Sequence, residues 1–316
     1  MKKYRLIFIT TLFSVLFILA VSCKKQGKES PTISGKSLGP VVAGQFYPFE
    51  PSAIKDMISN FYQEIPDLPL GANLLGVMSP HAGYIYSGPI AAYIYKNLPR
   101  DAFHRVVIIF PSHHSQFRGL LALDVDEYKT PIGSVKVDRD SIKQLMDSDP
   151  VIQYSDGAYG QEHSMEVMLP FLQTTLGDNF KIIPLMMGDQ SPNMARRLAE
   201  DLYRIFGDRR VLYIASSDMS HYHPYEEANA LDSRALTDII NLDDLALVDD
   251  LRNGKTELCG YGPVLTVLNL VKLRGGGTAK VLKHANSGDT QGNKDAVVGY
   301  GSVAFFTNTP PTEDKP

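Results

Sequence analysis

Few of the compact signatures that mark metal sites or nucleophiles are present in this sequence. It contains no HExxH helix and no CxxC pair, which excludes two short-range metal patterns. Its two cysteines, Cys23 and Cys259, are too few for a disulfide framework. Positive charge is not in excess: the formal net charge is −4, and removing residues 1–22, which hold Lys2, Lys3 and Arg5 and no acid, lowers it by three to −7. A chain so charged is not expected to bind nucleic acid. Nor is there an internal repeat of solenoid period.

One apolar run stands out, at the N-terminus. Residues 1–5 are basic, and 6–21 are apolar or hydroxylic without a charge. That run is shorter than a membrane span of ~20 residues. It ends at Ala20-Val21-Ser22-Cys23, small residues leading into a cysteine, and so resembles the lipobox of bacterial lipoproteins. The expectation is a signal peptide over 1–22 and a protein exported and anchored at the bacterial cell envelope membrane through lipidated Cys23. An uncleaved anchor helix is the other reading. Residues 23–39, rich in lysine, glycine and serine, are expected to form a flexible linker, and 310–316 a disordered tail. With Cys23 lipidated, Cys259 has no partner for an intramolecular disulfide, and an unpaired thiol in an oxidising compartment is expected to be buried or ligated.

Between these ends, strand and helix patterns alternate. The alternation centres on RVVIIFPSHH over 105–114, in which Val106 to Phe110 read as a strand buried on both faces that turns polar at its tip. Further strands are expected over 74–79, 120–125, 133–137, 181–187, 211–215, 279–286 and 296–306, with 120–125 and 133–137 as antiparallel additions. Helices are expected from Pro51, from about Ser87, after Asp138, over 160–176, from Ser191-Pro192, over 224–252 and up to Leu273. This order predicts an α/β fold, a three-layer αβα sandwich with a mixed β-sheet, as a single domain over 40–309.

Five of the eight histidines, His81, His113, His114, His163 and His221, fall at strand tips or helix starts. Open α/β sheets bind ligands beyond the carboxyl ends of their strands, and imidazole and thiolate are ligands for iron, copper and zinc. His81, His113 and Cys259 therefore form a candidate metal set drawn from three loops. His114 is expected beside it, because neighbouring residues at a strand tip point in different directions. His163 and Glu166, three apart, would share a helix face. Each residue also has a structural reading: a histidine that satisfies a carbonyl, a cysteine in the core, Asp218 as a helix cap, Glu166 on a solvated face. A serine hydrolase built on Ser217, Asp218 and His221 is a competing reading, although Ser217 is not set in a GxSxG elbow.

Taken together, PHAGYIYSG at 80–88, PSHH at 111–114, EHSMEVMLPFL at 162–172, SSDMSH at 216–221, Cys259-Gly260 and NSGD at 286–289 resemble the Memo family, also called AmmeMemoRadiSam system protein B. AGQFYP at 43–48 matches that family's opening motif, and the resemblance runs from about Pro40 to Phe306. It implies a fold like that of the class III extradiol ring-cleaving dioxygenases, with a metal pocket at the strand ends. It places the metal on His81, His113 and Cys259, with Asp218 and His221 as the polar pair that carries catalysis and with His114, His163 and Glu166 around them. Cys259 stands where those dioxygenases have a carboxylate. A thiolate is softer, favours copper(I) or zinc or alters the potential of iron, and is itself oxidisable. His221, oriented by Asp218, would serve as a general base on a phenol-like substrate. The implied function is metal-dependent redox chemistry with one transition metal, iron or copper, zinc remaining open. The alternative is a non-catalytic metal-binding or partner-binding protein with a vestigial pocket, its ligand a small molecule or a peptide.

Overall fold

Apolar runs with polar tips do form the centre of the molecule. The computed structural model describes residues 35–100 and 102–313. The first half of the chain folds as β1 (Ser37–Leu38), α1 (Pro51–Gln63), β2 (Leu74–Ser79), α2 (Tyr84–Tyr95), β3 (Arg105–Pro111), β4 (Leu120–Ala122), β5 (Glu127–Thr130), β6 (Gly133–Val137), α3 (Arg139–Ser148) and β7 (Ile152–Tyr154). Then come α4 (Leu169–Leu176), β8 (Lys181–Met187), α5 (Pro192–Phe206), β9 (Leu212–Ser216), β10 (His221–His223), α6 (Tyr225–Ile240), α7 (Asp244–Arg252), α8 (Tyr261–Leu273), β11 (Gly277–Asn286), α9 (Ser287–Gln291) and β12 (Val297–Thr307).

The main sheet order is β1-β5-β6-β8-β3-β9-β2-β12-β10, with β11 also paired to β12, and with β4 on β8 and β7 on β4. Strands β8, β3, β9 and β2 run parallel, whereas β12 is antiparallel to β2, β11 and β10. The sheet is therefore mixed. Val106 to Phe110 of β3 have no solvent exposure, as a parallel strand covered on both faces requires. Helices α1, α2 and α4 pack on one another, α5 packs on both α3 and α8, and members of each group lie against the sheet. This is the three-layer α/β arrangement that the alternation predicts, and the described residues from Gly35 onward form one compact unit. The parallel register places the ends of β2 and β9 side by side, Ser79 opposite Ser216, and those of β3 and β8 likewise, Pro111 opposite Met187. Four loops thus leave the sheet together.

Local differences from the sequence reading have physical causes. The expected single helix over 160–176 is instead two 3-10 turns, Gly157–Gln161 and Glu166–Met168, followed by α4. The Glu162 carboxylate accepts the N–H groups of His163 and Ser164, taking donors that a helix would have used. Pro170, in the first turn of α4, suits a helix start, where its missing N–H costs nothing. Helix α2 begins at Tyr84, so Pro89 lies inside it. The carbonyl that Pro89 leaves without a helical donor, that of Ile85, accepts from Gln291 Nε2 at 2.7 Å.

The strand over 120–125 stops at Ala122, and β5, which no pattern announced, forms the antiparallel hairpin with β6. β4 is antiparallel to β8 as expected, whereas β6 is parallel to it. Folding also reaches past the expected domain ends. Ser37 and Leu38, assigned to the linker, pair with β5, and Thr312, assigned to the tail, exchanges backbone hydrogen bonds of 2.7 Å with Asp208 and Arg210. The expected signal peptide and Cys23 lie outside the described residues. No described helix is long and apolar enough to cross a membrane.

Candidate metal centre

Where β2 and β3 end, and where the helix expected over 160–176 is interrupted, three imidazoles converge. His81, His113 and His163 each present a ligand atom, and these atoms all lie within 4.8 Å of one another. The His81 and His113 ring centroids are 5.0 Å apart and those of His113 and His163 4.7 Å. His163 thus joins the cluster itself instead of standing behind it. Phe46 holds it from the far side, ring centroids 4.6 Å apart.

Hydrogen bonds behind the rings decide which nitrogen faces the cluster. Ser216 Oγ donates to the carbonyl of Ser164 at 2.7 Å, which leaves it an acceptor for His81 Nδ1–H, also at 2.7 Å. His81 Nε2 is then the bare nitrogen. His113 Nδ1–H donates to Glu162 Oε1 at 2.9 Å, and the His113 backbone N–H donates to Oε2 at 2.7 Å. A carboxylate behind a histidine fixes its tautomer and raises its basicity as a ligand. Burial alone would push the Glu162 carboxyl up, but the hydrogen bonds and charge of His113, with the N–H of Ser164, hold it at about 2. Burial, and then the neighbouring imidazoles, drive His81 well below the ordinary histidine range. Burial brings His163 to about 4, with the His113 and His114 charges assisting and Glu162 opposing. His81 and His163 are therefore neutral near pH 7. That state can accept a metal ion.

Cys259 enters from the opposite end of the chain. Its Sγ lies 3.3 Å from His81 Nε2 and accepts the Asp218 N–H at 3.1 Å. Burial, then the Asp218 charge, pushes the thiol up, so without a metal it remains protonated and donates to His81. A coordinated thiol would lose that proton outright. Gly260 explains the Cys-Gly pair: a Cβ there would come within 2.0 Å of the Ser216 carbonyl oxygen. Gln190, which carries no signal in the sequence, clamps the loop by donating to the Cys259 carbonyl and accepting the Gly262 N–H, both at 2.9 Å.

The polar pair differs from expectation. Asp218 Oδ1 accepts the His81 backbone N–H at 2.8 Å, and burial lifts its carboxyl to about 6 against that bond and the charges of His221 and His113. His221 is oriented by the Met219 carbonyl, 2.7 Å from Nδ1, and not by Asp218. This makes Nδ1 the donor and leaves Nε2 as the basic nitrogen. Ser217 Oγ donates to the Asp218 carbonyl and accepts from Gly260 N–H, which is a structural use of the hydroxyl and gives a serine hydrolase no support. His221 and Cys259 both line a cavity of about 450 Å³.

The two glutamates of the 162–172 motif exchange the weights that sequence reasoning assigns them. Glu162, which it passes over, supports two of the three imidazole loops; the EH dipeptide was the available signal. Glu166 does not touch the histidines. It accepts from Val41 and Val42 N–H and from the hydroxyls of Tyr47 and Tyr128, and so pins the segment that carries Phe46. His114 is exposed and meets only the edge of His163, ring centroids 6.3 Å apart.

Comparison with known proteins matches residues 39–304 to the model of the Memo-like protein family. A MEMO1 family protein of Saccharolobus solfataricus is 41% identical over 280 residues, covering 84% of this chain and 98% of that protein. One from Ignicoccus hospitalis is 39% identical, covering 84% and 97%. One from Desulfurococcus amylolyticus is 34% identical, covering 86% and 99%. Among solved structures, an uncharacterized protein of Escherichia coli K12 aligns with a TM-score of 0.48 at 14% identity, covering 73% of this chain and 99% of that one.

Proposed function

The chain belongs to the Memo-like family, and from that premise we propose that it is an exported, lipid-anchored protein that binds one transition metal, iron or copper, for redox chemistry on a small molecule. The observation that carries this reading is the set of three imidazoles within 4.8 Å of one another, two of them with their outward nitrogens fixed by hydrogen bonds. Nitrogen and sulfur donors suit such ions, whereas calcium and magnesium would require oxygen. His81, His113 and His163 are the imidazole ligands, and Cys259 adds a thiolate beside His81. When bound, the metal would supply a redox centre and a Lewis acid.

The chain's own residues do the rest. Asp218 holds the backbone of the His81 loop. His221, whose Nδ1 is engaged by the Met219 carbonyl, offers Nε2 to accept a proton from a substrate lying in the adjoining cavity. Glu162 takes the Nδ1–H of His113 and so turns the other ring nitrogen toward the metal position. Export and tethering rest on the Ala20-Val21-Ser22-Cys23 motif.

The test is elemental analysis of protein purified from its own host compartment. About one transition ion per chain is expected, with loss in His113→Ala, while comparison of His163→Ala with Cys259→Ser weighs the third imidazole against the thiolate. Unchanged metal content in all three variants would overturn the site. For catalysis, the metal-loaded protein should consume oxygen with some member of a catechol panel; tight metal binding without any consumption supports the metal-holding alternative. For the anchor, Cys23→Ala should release the protein from membranes or leave its precursor uncleaved.

A further inference from the structure

The cavity beside the metal centre has a directional chemistry of its own. Its volume is about 450 Å³, within the ~300–1,000 Å³ typical of small-molecule sites. At its inner end lie Cys259 and Leu258, the latter 5% exposed. Val248 and Leu251 of α7 contribute apolar wall, and Arg252, the last residue of α7, also lines the cavity and is exposed to solvent.

The charges around the cavity are unevenly matched. Glu257 also lines it, but both of its oxygens are engaged: Oε2 accepts the His221 N–H at 3.1 Å and Oε1 faces His223 Nε2 at 2.9 Å. His223 in turn lies 3.3 Å from Glu227, so this acidic corner is closed on itself. Arg252 differs. It lines the same cavity, and among the described residues it has no hydrogen bond or ion pair. A guanidinium fork matches carboxylate and phosphate oxygens two at a time.

We propose that this cavity binds a small amphiphilic anion, with a carboxylate or phosphate head on Arg252 and an apolar body against Val248, Leu251 and Leu258. The far end of the body then reaches Cys259 and His221. That orientation rests on the proposed metal centre being the reactive site; the charge selectivity does not. Arg252 is a specificity residue and takes no part in holding metal.

The experiment uses the full chain in lipid nanodiscs, with and without bound metal, titrated with 4-phenylbutyrate, 2-phenylethyl phosphate, the neutral 4-phenylbutyramide and the cationic 4-phenylbutylamine. At least one of the two anions should bind about ten-fold more tightly than the amide, equivalent to one charge-assisted pair. Arg252→Gln should erase that preference without changing metal content, and Arg252→Glu should turn it toward the amine. Carboxylate and phosphate identify the head group by which is favoured. Equal binding of both anions and the amide, or a preference that survives Arg252→Gln, would overturn the proposal. Metal content measured on the same samples separates the two readings: a protein that binds no metal yet keeps an Arg252-dependent preference overturns the metal centre and leaves the anion site standing.

Discussion

Glu162 and Glu166 are both buried, 3% and 0% exposed, and the structure gives Glu162 five hydrogen bonds and Glu166 four. Their loss should nevertheless be felt in different measurements. Glu162→Gln keeps the shape but removes the charge behind His113 and turns part of the acceptor set into donors. A partner of this kind behind a metal-ligating histidine is worth ~10–100-fold in affinity. The expected outcome is a metal dissociation constant raised by about that factor, read by competition with a chelating dye. Glu166→Ala leaves two backbone N–H groups and two tyrosine hydroxyls without their acceptor. The expected loss of stability is about 3–5 kcal/mol in denaturant unfolding. Because Phe46 lies on His163 and on the segment that Glu166 pins, metal affinity should weaken here only as the fold loosens. Equal effects of the two variants on metal binding at a temperature where both are folded would contradict this division.

Among the elements, the strands were the most legible part of the sequence, and for a physical reason. A strand covered on both faces must be apolar throughout, so β2 and β8 were read to the residue and β3 to within one at each end. The 162–165 loop was not legible, because what interrupts the helix is a side chain accepting backbone donors, His113 N–H included, from 49 residues away. The third imidazole was misplaced with it. Contacts between helices hide similar features. Asp149, at the end of α3, accepts from Arg197 of α5, and Asp201 of the same helix has a buried Oδ2 with no protein donor. Burial, and then the hydrogen bond to Asp149 and its charge, raise the Asp201 carboxyl to about 6. A protonated Asp201 satisfies that oxygen by donating to Asp149, whose own carboxyl is held low by Arg197 and the Val151 N–H against burial. Because the folded state of Asp201 holds its proton more tightly than the unfolded state, its contribution is fully present below the ordinary aspartate pKa and is lost as pH rises through about 6. Asp149 acts in the opposite sense at lower pH. In Asp201→Asn the amide donates at every pH, so urea unfolding should show a gain over the parent that is larger at pH 7.5 than at pH 5. A gain independent of pH would mean that Asp201 does not hold a proton in the folded state.

At the scale of the whole molecule, the four residues of the proposed metal centre come from segments that the chain order keeps far apart: His81 after β2, His113 after β3, His163 before α4 and Cys259 before α8. The parallel register of β2, β9, β3 and β8 brings their loops to one edge. Such a set cannot persist in an unfolded chain, so the proposed metal binding would be linked to folding. A ligand that binds only the native state stabilises it by RT ln(1 + [L]/Kd), about 2.7 kcal/mol when free metal is a hundred times Kd. For a domain of this size that corresponds to roughly 5 °C in Tm. Stripping the metal with a chelator should lower the Tm of the parent by about that amount and leave His113→Ala unmoved. The direction of the remaining difference is informative as well. Metal-free parent and His113→Ala should melt close together, because His113 is partly exposed, its side chain 28% accessible, and takes part chiefly through its ring nitrogens. A His113→Ala protein that melts well below the metal-free parent would show that the Glu162–His113 pair holds the loops together by itself, with the metal binding to an edge that is already rigid.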